Sequence, residues 1–190
     1  YSIACLMSVI WLMIGYSIAF GKAHSLWGGL EKVFLFGVGT DELIGTIPEI
    51  SFFAFQMTFA IITPALIVGA YVERITFNFV LCFSSLWLIF VYCPVVHWVW
   101  GGGILSNGKL FNINVYDFAG GIVVHETAGI AAITLAFFSA SQDIAIDAWR
   151  IEINEEKELG LGAALYVTGY RIALLAAGAG ALVIADIYSW

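Results

Sequence analysis

The chain has 190 residues, of which 62% are hydrophobic and 11% charged, whereas soluble domains are about one quarter charged. With a mean hydropathy of +0.97, this excludes an ordinary soluble protein and predicts an all-α integral membrane protein. The net charge of −7 argues against nucleic acid as a partner, since a phosphate backbone needs a basic patch.

Residues 1–20 form an uncharged apolar run, about the length that crosses the hydrocarbon core as a helix. The run has no leading Met and no charged leader, so a natural start upstream is expected and no signal peptide is read. Residues 21–49 form a glycine-rich connection. Within it Trp27 to Phe36 has the spacing of a short interfacial helix, and His24 reads as solvated. Thr46-Ile47-Pro48-Glu49 fits a capping box opening the second span, 50–72. Pro64 is expected to kink or loosen its middle, and Glu73-Arg74 closes it. A short connection leads to the third span, 77–100, ending in His97-Trp98-Val99-Trp100, an aromatic cluster suited to a membrane interface. Gly101-Gly102-Gly103 breaks the helix, and Asn107-Gly108 signals a turn.

Asp117 precedes the fourth span, 118–140. Residues 141–159 are polar and acidic and read as a solvated loop. The fifth span, 160–188, carries a stripe of small residues, Gly169, Ala173, Ala177, Ala181 and Ala185, suited to close helix packing in lipid. Arg171 lies inside that span, where it snorkels or pairs with a carboxylate, and Asp186 lies near its end. Five spans in a single membrane domain over 1–190 is the resulting expectation. Lys and Arg divide evenly between alternate loops, so loop charge leaves the orientation open. Cys5, Cys82 and Cys93 all sit in apolar runs and read as free thiols. His125-Glu126 lacks metal-ligand spacing. Neither a metal nor any other cofactor is expected.

A titratable residue inside a span is a functional candidate, because burying it in lipid is costly. His125 lies in the fourth span, about 12 Å below Asp117 if one helix joins them. Its ring lines a path for a small polar molecule, relays a proton, or is satisfied by another helix. Asp117 is either an N-cap or a fixed charge that favours cations, and the two readings are compatible. Phe55 and Phe59, four apart, share a helix face. Taken alone they read as packing, and Trp100 as an interface anchor. Alternatively, their faces attract a cation or form an apolar gate.

Three stretches resemble the ammonium transporter family (Amt/MEP/Rh): GYSIAFG at 15–21, FQMTFAIITPALIVGAYVERITF at 55–77, and HWVWGGG with DFAGGIVVH at 97–103 and 117–125. They occur in the family's order, and the resemblance covers roughly 1–140. It implies a partial transporter bundle, homotrimeric, with a separate pore in each subunit. Ammonium (or methylammonium as analogue) would be recruited between Phe59 and Trp100, with Phe55 and Phe59 stacked as a gate below. Asp117 would be buried and organising, and His125 the first of two pore histidines. The ion would lose its proton and cross past them, with the Trp100 end outside. Such a protein is a transporter, not an enzyme. Family members have about eleven spans in two inverted halves, and the second histidine lies in the second half. Two alternatives therefore stand beside transport: a truncated or redesigned helical module that conducts nothing, and a membrane domain that senses ammonium without moving it.

Overall fold

The computed structural model describes residues 1–71, 75–106, 115–153, 160, 162, 164–169 and 171–172. Four helices among them are long and apolar enough to cross a membrane: Ser2–Phe20, Glu49–Ala70, Phe77–Val99 and Gly121–Trp149. They overlap the first four expected spans, the fourth starting at Gly121 instead of Phe118 and running on past Ala140. Of the fifth, residues 160, 162, 164–169 and 171–172 are helical, with Arg171 exposed. Its small-residue stripe beyond Gly169 and Asp186 lie outside the described residues, as do the Asn107-Gly108 turn and Glu73-Arg74.

The chain falls into two compact units, Tyr1–Ala136 and Phe137–Trp190. The first holds the core. Met7, Trp11, Tyr16 and Tyr92 are completely buried in it. Trp11 meets Tyr16 edge-on at 5.9 Å and lies 6.3 Å from Tyr92 between ring centroids. That cluster depends on a π turn at Trp11–Gly15. In a regular α-helix residues five apart point some 140° away from each other (about 100° per residue), but an i→i+5 bond brings them towards one face. A second π turn, Leu88–Tyr92, lies just before Pro94. There the proline ring would clash with a regular i→i−4 ladder, and widening the turn makes room. A Cβ on Gly15 would lie 2.9 Å from the Trp11 ring and 3.3 Å from Cys93 Sγ, so this glycine lets the first and third helices approach.

Several local expectations give way to tertiary contacts. The capping box does not form. Leu43–Ile44 pairs antiparallel with Ile47–Pro48, and the second helix starts at Glu49 with no side-chain cap. The Glu49 carboxylate instead accepts from the Tyr16 hydroxyl at 2.7 Å and pairs with the Lys32 ammonium. The helix runs through Pro64 without a break to Ile67, where a 3-10 turn, Val68–Ala70, follows. Trp27 to Phe36 yields only a 3-10 turn, Val33–Leu35. Its backbone is drawn onto the end of the first helix instead, by Gly28 N–H to the Ile18 carbonyl (2.7 Å) and Lys32 N–H to Ser17 Oγ (2.9 Å). The expected loop after Ala140 is helical as far as Ile153. No Gly or Pro lies between Gly129 and Gly160 to stop it.

Candidate functional site

The second helix, the end of the third and the segment leading into the fourth meet around a cavity of about 590 Å³ in the first unit. Phe52, Phe55, Gln56 and Phe59 reach it from the second helix, Trp100 from the end of the third, and Asp117 from the segment leading into the fourth. Phe59 and Trp100 sit 5.9 Å apart between centroids, tilted by 67°. Phe55 and Phe59 are 5.1 Å apart at 84°. They meet edge to face instead of stacking, the arrangement that brings a positive ring edge to a negative ring face. Trp100 cannot swing freely: its Nε1–H donates to the Asp117 carbonyl at 2.8 Å.

Asp117 is only half-buried, in contrast to the buried position that the resemblance implies. Its Oδ1 accepts Gly121 N–H at 2.8 Å, and its Oδ2 accepts Ile122 and Val123 N–H at 2.9 Å. The carboxylate thus satisfies the free donors of a helix start and faces its positive end. The chain reaches that geometry through Gly120, at φ 79°, in the left-handed region that glycine tolerates.

The fourth helix begins at Gly121 with a π turn through Glu126, not at Phe118. His125 is therefore only four residues into a helix, so the expected 12 Å of helical depth below Asp117 does not apply. Its side chain is exposed and does not line the cavity. The structure thus brings together Phe55, Phe59, Trp100 and Asp117 and leaves His125 on the surface of this chain. No cluster of metal-ligating side chains occurs among the described residues.

Two further residues hold the site in place. His97, read from sequence as part of an interfacial cluster, is 2% exposed. Its ring nitrogens lie 3.0 Å from the Ala19 carbonyl and 2.8 Å from that of His24. Trp98 Nε1–H donates to the Leu26 carbonyl at 2.8 Å. Both fasten the loop after the first helix to the end of the third. Gln56, buried in the second helix, lines the same cavity. A polar residue in an apolar span, here next to Phe55, is itself a signal.

The Ammonium Transporter Family model matches residues 2–170. The chain belongs to this family. The match continues past residue 140, where the resemblance read from the motifs ends. An ammonium transporter of Bacillus subtilis is 46% identical over 138 residues, covering 72% of this chain and 33% of that protein. A putative ammonium transporter of Methanothermobacter thermautotrophicus is 50% identical over 134 residues, covering 69% and 32%. Among solved structures, Mep2 of Saccharomyces cerevisiae superposes with a TM-score of 0.64 at 31% identity over 72% of this chain and 30% of that one. Candida albicans Mep2 gives 0.61 at 35% identity, over 70% and 29%. The chain therefore spans about a third of the length of the curated transporters it matches. As a member of the Ammonium Transporter Family it is a helical, multi-pass membrane protein.

Proposed function

We propose that this chain provides the outer cation-recruiting site and part of the conduction path of an ammonium transporter. The observation that carries this reading is the Phe59–Trp100 pair, 5.9 Å apart at the cavity wall. An exposed aromatic face attracts a cation by about 0.5–1 kcal/mol and a desolvated one by about 2 kcal/mol. The Asp117 carboxylate beside them adds negative potential, although three backbone N–H groups already share its charge.

Phe55 and Phe59 then act as an apolar gate. An ion that crosses them loses hydration without gaining equivalent partners, and neutral ammonia loses far less. Deprotonation before the gate is the physically favoured order. His125 lines the path beyond, and its exposure on this chain supports a path completed by a second protein surface. Inverted-repeat transporters place their sites at such a junction. Assembly as a homotrimer, with the Trp100 end facing outside, belongs to the same reading.

Labelled methylammonium flux into liposomes holding only the purified 190-residue chain tests this reading. Flux that disappears in Trp100→Leu is the expected result. If well-inserted protein gives no flux but binds ammonium through Trp100, the chain is a recruiting or sensing module. The exposed His125 favours that second reading for the isolated chain.

A further inference from the structure

Gln56 is 6% exposed, lines the cavity beside Phe55, Phe59 and Trp100, and has a buried Oε1 with no hydrogen-bond partner. The other buried side-chain oxygens without a formal partner are the Tyr71 and Tyr92 hydroxyls and Ser84 Oγ. None of these three lines that cavity. Gln56 is the remaining case among the described residues, and it is the one at the cavity. An unmet buried acceptor costs free energy that Met or Leu would not.

We infer that Gln56 is a specificity-determining residue of the cation site, its carboxamide oxygen accepting an N–H bond from a bound ammonium ion. The inference rests on the reading of this cavity as a cation site. Aromatic faces attract positive charge without counting N–H groups, so Phe59 and Trp100 alone hold ammonium and a fully methylated ammonium on similar terms. A carboxamide oxygen is different. It is an acceptor with two lone pairs, and hydrogen bonds with a charged partner are the stronger ones. In this structure Oε1 is the buried end, and the two ends of the carboxamide exchange by a half-turn of its terminal torsion. A cation in the cavity selects the oxygen-inward orientation, because the NH₂ end repels it. Gln56 would thus reward a ligand that keeps its N–H donors.

Equilibrium titration of the purified full 190-residue chain with ammonium chloride and with tetramethylammonium chloride, at constant ionic strength, reads both contributions. The cavity of about 590 Å³ admits either ion. Trp100→Leu is expected to weaken both cations. Gln56→Met, close in volume and without the acceptor, is expected to weaken ammonium about tenfold and to leave tetramethylammonium within about twofold, with a melting temperature at or above wild type. Gln56→Glu keeps the acceptor and is expected to retain the preference for ammonium. The inference is overturned if Gln56→Met binds ammonium as wild type does, if it loses both cations in parallel, or if Gln56→Glu loses the preference. Failure of wild type to bind ammonium through Trp100 would instead overturn the cation site itself, and the role of Gln56 with it.

Discussion

At the scale of single residues, Asp117 illustrates how one side chain carries two readings that experiment separates. Its carboxylate closes three backbone N–H groups at the start of the fourth helix. Asp117→Ala should therefore cost about 1–2 kcal/mol, in the range of a lost helix cap, seen as a lower melting temperature in detergent. Asp117→Asn keeps an acceptor oxygen and should lose less. The electrostatic part is tested separately: attraction by a half-exposed charge weakens with ionic strength, whereas capping by short hydrogen bonds does so much less. The ammonium affinity of wild type should fall with added salt more steeply than that of Asp117→Asn. Aspartate and the aromatic trio were legible in the sequence because charges and ring clusters stand out in apolar runs. The carboxamide of Gln56 was equally visible as a polar letter. What hid it was that an unmet acceptor is defined by its neighbours, and those come from separate segments of the chain.

At the scale of elements, length and hydropathy were legible and boundaries were not. The first four spans lie where twenty or so apolar residues require them. The helix starts were decided by contacts from outside the helices. The Tyr16 hydroxyl and Lys32 claimed Glu49, and Asp117 capped from outside the helix it serves. The π turns were likewise invisible, because they answer to packing around Trp11 and to Pro94 and leave no periodic signature. Gly101 gives a direct test of how closely these elements meet. A Cβ there would fall 2.1 Å from the Ala19 carbonyl oxygen and 2.8 Å from His97 Cα, both backbone atoms that cannot rotate away. Gly101→Ala should push the end of the third helix off the first, destabilise the chain by about 1–3 kcal/mol as overpacking does, and shift Trp100 fluorescence. A wild-type melting curve and spectrum would show that the junction yields freely.

At the scale of the whole molecule, the first unit is joined by a polar network at one end of an otherwise apolar bundle. Lys32 comes from the loop, Glu49 from the second helix and Tyr16 from the first. Lys32 Nζ also lies 5.7 Å over the Tyr16 ring. Glu49 is 6% exposed, so removing its cationic partner leaves a buried charge, a change that costs about 3–5 kcal/mol. Lys32→Met should accordingly be more destabilising than the double variant Lys32→Met/Glu49→Gln, measured by thermal unfolding. Equal losses in the two would mean that solvent reaches Glu49. The spans bury only 22–39% of their most apolar windows within the chain. The remaining apolar surface, including Phe90 at 72% exposure, must face lipid or further protein.

The cavity draws its aromatic wall from the second helix, its indole from the end of the third, and the carbonyl that fixes that indole from the segment opening the fourth. During synthesis, Trp100 enters the membrane well before Gly121, Ile122 and Val123 are available to hold the Asp117 carboxylate. A nascent chain halted after the third span should therefore carry Phe55, Phe59 and Trp100 and still lack the shape of the site. Extending the chain by the first turn of the next helix would complete it, so with the proposed cation site, ammonium binding would mark how far insertion has progressed.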